Sequence, residues 1–281
     1  MLTVLEIIKR TTDFLEKRSV ESSRLNAELL IGHALGLKRM QLYLQFERPL
    51  TEPELEKIRP LVKRRGNREP LQYILGETEF SGLKLKVDPR ALIPRPETEY
   101  LIELIAQRLP EAPVSVLDLG TGSGAIALAL AKAYPASAVT AVDISPDALA
   151  LARENAVICT LSERVRWFES DWFSAIPAEE KFQLIVANPP YLSQEETSAA
   201  PPEVREFEPA IALSAATNGG AALHTIISLA YARLVPGGFL ACETGIAQHA
   251  KLAELATQTG YVRTESLQDL TNRDRYFLAF V

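Results

Sequence analysis

An apolar run that ends in two prolines constrains the fold of this chain more than any other feature. Leu184-Ile185-Val186-Ala187 is typical of a buried strand, and Asn188-Pro189-Pro190-Tyr191 follows it directly. The strand cannot continue through the prolines, because each has a fixed φ and no backbone N–H. The chain must therefore turn at the carboxyl end of the strand, which is where open α/β sheets bind ligands. An Asn, a Pro carbonyl and an aromatic ring at that edge are suited to holding a planar group that carries an –NH2.

Length and composition favour a globular protein of two domains. The chain has 281 residues, of which 47% are hydrophobic and 23% are charged. A net charge of -6 argues against a surface built to bind nucleic acid, although Lys63-Arg64-Arg65 and Arg68 form a local basic run. Cys159 and Cys242 lack metal-ligand spacing, so we expect reduced thiols and no metal site. No signal peptide and no membrane-length apolar stretch is visible, which predicts a cytoplasmic protein without a membrane partner.

The first part of the chain, residues 1–74, has the pattern of a small helical bundle. Apolar residues recur there at helical spacing. Ser22 or Ser23 is expected to cap a second helix that ends at Gly36, and Thr51 is expected to cap a third. Because this region carries no catalytic constellation, we predict that it docks a partner.

Residues 75–95 read as a junction between the bundle and the rest of the chain. A turn signal followed by alternation predicts a β-hairpin over 80–87. Thr98 or Glu97 is then expected to open a helix over 100–109.

The remainder, residues 96–281, alternates strands and helices, which predicts a doubly wound, mostly parallel sheet of seven strands. The predicted strands are 115–119, 138–144, 164–168, 182–187, 238–243, 264–267 and 275–280. The predicted helices after 109 are 125–133, 146–156 (capped by Ser145), 220–234 and 247–257. The last two strands leave no room for a crossover helix, so they should be antiparallel.

A glycine-rich turn follows the first strand of this sheet. Gly120-Thr121-Gly122-Ser123-Gly124 spaces its glycines as G-x-G-x-G, which lets backbone approach a ligand closely and differs from the dinucleotide motif. Asp143 ends the second strand, where a carboxylate can accept both hydroxyls of a ribose. No P-loop is present, so a ligand with a ribose and no phosphate, S-adenosylmethionine, fits best. The alternative is a glycine turn needed only for close packing.

Ser170-Asp171-Trp172-Phe173 ends the third strand, where an adenine ring should lie. Asp171 can accept the adenine amino protons, and Trp172 can stack on the ring or form a wall beside it. The alternatives are a cap of the following turn for Asp171 and core packing for Trp172.

The turn that follows the fourth strand then lies beside the methyl group of that cofactor. The Asn188 side-chain oxygen and the Pro189 carbonyl can each accept one N–H of the target, while Pro190 continues the turn and Tyr191 packs against the planar group. Holding both hydrogens aims the nitrogen lone pair at the methyl group, which is positioning and not acid–base catalysis. The alternative is a turn that only ends a strand.

The three histidines are expected to have structural or exposed positions. His33, His224 and His249 do not cluster in sequence with Ser, Cys or Asp in a triad-like pattern.

Several stretches together resemble one family, the peptide chain release factor N5-glutamine methyltransferases (HemK/PrmC). The likeness covers essentially the whole chain, and the stretches that carry it are Ser22–Leu30, Pro70–Gly76, Leu92–Glu99, Asp118–Gly124, Asn188–Tyr191, Glu208-Pro209, Pro236–Gly238 and Glu243–Gly245. The resemblance implies a Rossmann-like class I methyltransferase that methylates the glutamine of the Gly-Gly-Gln motif in class I release factors and so modulates translation termination. It places S-adenosylmethionine at Gly120–Gly124, Asp143, Trp172 and Asn188, and the glutamine at Asn188–Tyr191. The sequence departs from the family at Asn218-Gly219, where a turn is expected.

Two other functions share parts of this pattern. An adenine-N6 methyltransferase acting on DNA or RNA uses the same amine-holding turn, but the acidic net charge and the lack of a basic recognition domain oppose it. A binding protein that keeps the cofactor fold without catalysis is opposed by the intact acceptor turn.

Overall fold

The chain folds as two units in the computed structural model, which describes residues 2–109, 111–213 and 220–281. One unit comprises Met1–Glu77 with Pro201–Phe207, and the other comprises Thr78–Ala200 with Glu208–Val281. The predicted turn at Asn218-Gly219 lies outside the described residues.

From residue 96 onward, helices and strands follow one another in the predicted order, apart from three short helices between residues 194 and 213. The helices are α1 (Val4–Glu16), α2 (Ser23–Leu35), α3 (Arg39–Tyr43), α4 (Glu52–Gly66), α5 (Leu71–Leu75), α6 (Pro96–Arg108), α7 (Ala125–Ala133), α8 (Pro146–Ile158), α9 (Gln194–Ala199), α10 (Pro202–Phe207), α11 (Ala210–Leu213), α12 (Ala221–Ala230) and α13 (His249–Thr259). The strands are β1 (Glu77–Phe80), β2 (Leu83–Lys86), β3 (Ser115–Leu119), β4 (Ala138–Asp143), β5 (Val165–Glu169), β6 (Phe182–Ala187), β7 (Leu234–Glu243), β8 (Arg263–Gln268) and β9 (Asp274–Phe280).

The helical unit consists of α1 to α5 and α10, and α1, α3 and α4 begin at capping boxes. The Thr3 hydroxyl accepts the Glu6 N–H, while the Glu6 carboxylate accepts the Thr3 N–H. At the start of α4, the N–H and hydroxyl of Thr51 both donate to Glu54. The apolar faces of these helices meet in a core of six buried residues: Val4, Ile8, Ile31, Leu42, Leu50 and Ile58.

Helix α10 is held to α4 by a carboxylate between two guanidinium groups. Glu203 lies 2.9 Å from Arg65 Nη2 and 2.7 Å from Arg68 Nη2. Arg65 is itself buried and also donates to Asn26 Oδ1 at 2.7 Å. A pair of this kind, with one arginine buried, positions α10 against the helical unit more strictly than an exposed ion pair would.

The second unit is built on a seven-stranded sheet in the order β5-β4-β3-β6-β7-β9-β8. The pairs from β5 to β7 are parallel, and β9 lies antiparallel to both β7 and β8. Strands β1 and β2 form a separate two-stranded hairpin. The predicted mostly parallel sheet, the hairpin and the antiparallel last pair are therefore confirmed.

Alternate residues of each central strand supply two different cores. On β3, Val116 joins a core with α6 and α7, whereas Leu117 and Leu119 join one with α12 and α13. On β6, Leu184 and Ile185 divide in the same way. Burial on both faces explains why these strands are continuous apolar runs in the sequence.

The crevice that can accept a ligand lies where strand order reverses, between β3 and β6. β4 pairs with one edge of β3 and β6 pairs with the other, so the loops after β3 and β6 diverge. The N–H groups of Gly120 and Thr121 both donate to the Val142 carbonyl at 2.9 Å, which fixes the start of the glycine turn on β4.

Some element boundaries differ from the sequence prediction. Helix α6 begins at Pro96, not at residue 100, and neither Glu97 nor Thr98 caps it. Ser22 precedes α2 as predicted, but its side chain makes no capping hydrogen bond. The helix predicted over 220–234 ends at Ala230 and continues as a 3-10 turn, so β7 begins at Leu234, earlier than predicted.

Three short helices between residues 194 and 213 have no counterpart in the prediction. No helix in the described part of the chain is both long and apolar enough to cross a membrane.

Candidate active site

A cavity of about 250 Å³ lies at the carboxyl ends of the central strands. The loops after β3, β4, β5 and β6 contribute to it, as does the segment from 90 to 95 before α6. Most residues of the predicted site line this cavity: Gly120, Thr121, Gly122, Ser123, Asp143, Asp171, Trp172, Asn188 and Pro190. The structure thus brings together residues that span about 70 positions of sequence.

Gly124, Pro189 and Tyr191 are predicted site residues that do not line this cavity. Gly124 begins α7 with φ +83°, and a Cβ there would lie 3.1 Å from the Ala152 Cβ and 3.2 Å from the Trp167 ring. This close packing agrees with the alternative considered for the glycine turn. Gly120 and Gly122 also have positive φ, at +70° and +55°, and both line the cavity.

Asp143 is oriented by backbone donors on both sides of its carboxylate. Oδ2 accepts the Gly122 N–H at 2.8 Å, and Oδ1 accepts the Ser145 N–H at 2.9 Å. Burial raises the pKa of Asp143, and these backbone N–H groups oppose the rise. The side chain is half-buried and reaches the cavity, so its remaining lone pairs can accept hydroxyl donors.

Asp118 is a residue of the site region to which the sequence reasoning gave no role. It is fully buried at the end of β3, and its Oδ2 accepts the Thr121 hydroxyl at 2.6 Å and the Ala127 N–H at 3.1 Å. Oδ1 has no hydrogen-bond partner among the described residues. Burial raises the pKa of Asp118 to about 7, and the Asp143 charge acts in the same direction. The sequence signal for a special role of Asp118 was a carboxyl group inside the apolar run from 116 to 119.

Trp172 forms a wall of the cavity beside the glycine turn. A Cβ at Gly120 would lie 3.5 Å from Trp172 Cζ3, so ring and turn are in contact. The ring also packs partly against the core around Leu117, as the core-packing alternative predicts. Its φ of 49° is in the left-handed region, which is strained for a tryptophan.

Asp171 is exposed at the cavity edge. The turn after it is closed by backbone and by Ser174, whose hydroxyl accepts the Asp171 N–H at 3.1 Å. The Asp171 carboxylate accepts no hydrogen bond from any described residue, so the structure gives it no capping role.

Asn188 is connected to a buried chain of polar side chains. Its Nδ2 donates to Thr98 Oγ1 at 3.1 Å, and the Thr98 hydroxyl donates to Glu243 Oε2 at 2.6 Å. The Tyr191 hydroxyl donates to Glu243 Oε1 at 2.8 Å and accepts from Arg275 Nη1 at 3.3 Å. We refer to Thr98, Glu243, Tyr191 and Arg275 as the Asn188 support.

Tyr191 is half-buried and does not line the cavity. Its ring packs against the core formed with α12 and α13, with the Arg275 guanidinium 5.7 Å from the ring centroid. Thr98, Glu243 and Arg275 were not recognised as site residues, because they are distant in sequence from the turn that they contact.

Arg95 and Glu208 form an ion pair at the cavity wall. Arg95 Nη2 lies 2.5 Å from Glu208 Oε1, and the Glu208 side chain is almost fully buried. Burial raises the pKa of Glu208, and the guanidinium opposes the rise.

The histidines stay outside the cavity lining. His249 is buried, with Nε2 2.6 Å from the Thr244 hydroxyl and Nδ1 in contact with the Ser266 hydroxyl. Among the described residues, no group of His, Cys, Asp and Glu side chains could hold a metal ion.

Comparison with solved structures identifies the class of protein that this fold defines. A methyltransferase from Pyrococcus furiosus superposes with a TM-score of 0.53 at 20% identity, covering 71% of this chain and 89% of that chain. The T. thermophilus 16S rRNA N2 G1207 methyltransferase gives a TM-score of 0.53 at 20% identity, covering 73% of this chain and 49% of that one. The fold is that of a class I methyltransferase.

Comparison with curated proteins identifies the family. A family model described as "PrmC N-terminal domain" matches residues 6–76, and one described as "Methyltransferase small domain" matches 97–203. Release factor glutamine methyltransferases from Geobacter sulfurreducens and Chlorobaculum tepidum are 42% and 41% identical, each covering 97% of this chain and 95% of its own. The one from Escherichia coli is 41% identical, covering 92% of both chains. The chain belongs to the release factor glutamine methyltransferase family.

The methyl donor of this family is S-adenosylmethionine, and the cavity residues fit it. Gly120 and Gly122 present backbone without Cβ atoms, and Asp143 offers a fixed carboxylate beside them. Trp172 supplies an aromatic wall, and the exposed Asp171 carboxylate is free of described partners. Together these groups can hold a ribose and an adenine, with no phosphate-binding cation required.

Proposed function

We propose that this protein transfers a methyl group from S-adenosylmethionine to the side-chain amide nitrogen (N5) of the glutamine in the Gly-Gly-Gln motif of class I peptide chain release factors, which modulates translation termination. The observation that carries the proposal is identity of about 40% to release factor glutamine methyltransferases along nearly the whole chain. The position of Asn188 at the cavity, anchored from behind, supports it.

The cofactor would be held by the loops after β3, β4 and β5. Gly120 to Gly124, including Thr121 and Ser123, would lie along its methionine and ribose, and Asp143 would accept the ribose hydroxyls. Trp172 would contact the adenine ring, and Asp171 would accept the adenine amino protons. Asn188 would border both the cofactor and the acceptor.

The acceptor site would be formed by residues 188–191. S-adenosylmethionine supplies an electrophilic methyl group when bound. The Asn188 Oδ1 atom and the Pro189 carbonyl would accept the two N–H groups of the glutamine amide, which weakens delocalisation of the nitrogen lone pair into the carbonyl and orients that lone pair. Pro190 would shape the turn, and Tyr191, which is half-buried with its hydroxyl bonded to Glu243, would hold Glu243 in place.

The direct test is transfer of labelled methyl from the cofactor to a purified release factor. We expect label in the wild-type release factor and none when the glutamine of its Gly-Gly-Gln motif is replaced by Ala. Equal labelling of that control would refute the specificity, and label only in added DNA or RNA would favour an adenine-N6 methyltransferase. Asn188→Ala should lower kcat on the order of 10²-fold or more, with a smaller effect on cofactor affinity.

The helical unit would dock the release factor, with residues 1–74 as the docking domain, 75–95 as the junction and 96–281 as the catalytic domain. Helix α3 and the residue after it expose two large apolar side chains, Met40 and Leu44, at 69% and 84%. We expect Met40→Glu with Leu44→Glu to raise the KM for the intact release factor without changing turnover of a short Gly-Gly-Gln peptide. Val262→Glu, at an apolar side chain that is 79% exposed in the other unit, is the matched control.

We place the protein in the cytoplasm, because its proposed substrate acts on the translating ribosome. No direct nucleic-acid partner is part of the proposal, which is consistent with the net charge of -6.

A further inference from the structure

The hydrogen bonds that link Asn188 to Thr98 and Thr98 to Glu243 all donate toward Glu243. A threonine hydroxyl has one proton, and the Thr98 proton is donated to Glu243 Oε2 at 2.6 Å. The Thr98 oxygen can therefore only accept from its other neighbour, and Asn188 Nδ2 donates to it at 3.1 Å. With its nitrogen committed to Thr98, the Asn188 amide keeps its Oδ1 for the acceptor site.

We propose that Thr98 and Glu243 are positioning residues that fix the orientation of the Asn188 amide, and thereby restrict the acceptor to a group with N–H donors. This inference rests on the proposed function, because it assigns the orientation needed for the amide-holding role of Asn188. Glu243 lies outside the cavity lining and acts through Thr98, whereas Thr98 borders the cavity and acts through its hydrogen bond to Asn188.

The direction of these hydrogen bonds is set by Arg275, the residue of the Asn188 support that is farthest along the chain of bonds from Asn188. Arg275 has no acceptor atom, so it must donate to the Tyr191 oxygen, which it does at 3.3 Å. The Tyr191 proton then goes to Glu243 Oε1 at 2.8 Å. Both Glu243 oxygens thus accept, and each hydroxyl in the chain has a defined donor direction. Burial raises the pKa of Glu243, while the two hydroxyl donors and Arg275 oppose that rise.

An asparagine needs such support because the two ends of its amide are nearly the same size. A rotation of the amide by 180° would replace the oxygen by an NH2 group that faces the N–H donors of the substrate. Packing alone distinguishes the two orientations poorly, whereas a buried, one-directional acceptor distinguishes them well. Thr98 and Glu243 are 4% and 2% exposed, so water does not compete for these bonds.

Glu243→Gln should reverse the direction without changing the shape of the site. The Tyr191 proton needs an acceptor, so the introduced amide must turn its oxygen to Tyr191 and its NH2 to Thr98. Thr98 then accepts from the introduced amide and donates its own proton to Asn188. The Asn188 amide must rotate to accept, which presents its NH2 to the acceptor site.

Asn188→Asp tests the same chain from the other end. With Glu243 intact, Thr98 offers only a lone pair to the introduced carboxylate, so the bond between them is lost. In the double variant Asn188→Asp with Glu243→Gln, Thr98 can donate to the carboxylate, whose other oxygen faces the acceptor site. The double variant exchanges the amide and the carboxylate between the two ends and keeps the total charge.

The experiment measures kcat for methylation of the release factor by both single variants and the double variant. We expect each single variant to lose on the order of 10²-fold in kcat, and the double variant to exceed both singles by tenfold or more. Cofactor affinity, measured by calorimetry, should stay within about threefold of wild type in Glu243→Gln, whose substituted side chain does not line the cavity. Losses that multiply in the double variant would overturn the proposal.

Thr98→Val and Thr98→Ser provide a second arm for the case in which a Glu243 variant fails to fold. Thr98→Val should lower kcat tenfold or more at similar KM, and Thr98→Ser should restore it to within about threefold of wild type. Thr140→Val is the matched control, because the fully buried Thr140 hydroxyl accepts from Arg166 at 2.7 Å and does not contact Asn188. Full activity of Thr98→Val would refute the inference.

The side-chain NH2 resonances of Asn188, assigned by their absence in Asn188→Asp, report the orientation without any substrate. We expect them to shift in Glu243→Gln and in Thr98→Val, and to keep their position in Thr140→Val. Unchanged resonances in Glu243→Gln would overturn the positioning role. If the resonances shift as expected while wild type fails to methylate a release factor, the proposed function fails and the positioning of Asn188 stands.

Discussion

Asp118 couples the stability of the methyltransferase unit to pH, and the sign follows from its surroundings. Its pKa rises from an ordinary 3.8 to about 7, mainly because the carboxyl is fully buried. The folded state therefore holds a proton that the unfolded state has already released, between about pH 4 and pH 7. Stability is highest at the acidic end of this window and falls as the pH rises through it.

The magnitude follows from the size of that rise. A pKa of about 7 in place of 3.8 corresponds to about 4 kcal/mol over the whole window, of which about 3 kcal/mol falls between pH 5 and pH 8. Asp118→Asn should remove this contribution, because an amide does not titrate. Its oxygen can keep the bonds to Thr121 and Ala127, and its NH2 would occupy the side of Oδ1, as a protonated carboxyl would.

Urea unfolding followed by tryptophan fluorescence is the suitable assay. Both tryptophans of the chain, Trp167 and Trp172, lie in the methyltransferase unit, so the transition reports that unit. We expect the free energy of unfolding of Asp118→Asn, relative to wild type, to increase by about 3 kcal/mol from pH 5 to pH 8. Asp147→Asn, at an exposed carboxylate on α8, should follow wild type. A constant difference between Asp118→Asn and wild type would refute the reasoning.

Three further predictions concern the cofactor loops. Asp143→Ala should weaken S-adenosylmethionine binding about 10- to 100-fold by calorimetry, because hydrogen bonds to a charged carboxylate are lost. Trp172→Phe should abolish most of the fluorescence change on cofactor binding, because the Trp172 ring lines the cavity. Gly124→Ala should lower the free energy of unfolding by about 1–3 kcal/mol, since φ is +83° and the added Cβ would lie 3.1 Å from the Ala152 Cβ.

Each of these has a matched comparison. Asp147→Ala removes the same charge as Asp143→Ala at an exposed position, and equal losses of affinity in both would contradict the ribose role. Trp167→Phe should keep the fluorescence change, and a loss there instead would place the cofactor elsewhere. A Gly124→Ala variant as stable as wild type would show that the loop relaxes around the methyl group.

The parts of the fold and site that could be predicted are those encoded locally. Strand β6 is a continuous apolar run because both of its faces are buried, and the prolines after it fix its end. The glycine turn and Asp143 were predicted as a pair because consecutive parallel strands bring their carboxyl ends to one edge.

What could not be predicted depends on contacts between distant positions. Thr98 is a good helix cap by residue type, and that preference predicted a helix start at residue 100, four residues later than observed. In the structure its hydroxyl is committed to Glu243, 145 residues further along the chain, and Pro96 begins the helix. The hydrogen bonds of the Tyr191 hydroxyl to Glu243 and Arg275 could not be predicted for the same reason.

The place of β9 in the sheet has a consequence for the order of folding. β9 is inserted between β7 and β8, although it follows both in the chain, and it carries Arg275. Pairing of β9 with β7 joins segments more than 30 residues apart, which is a non-local and therefore slow step. Arg275, which sets the hydrogen-bond direction behind Asn188, is therefore placed only when β9 joins the sheet. The recovery of methyl transfer during refolding should follow the insertion of β9 rather than the earlier formation of the cofactor loops.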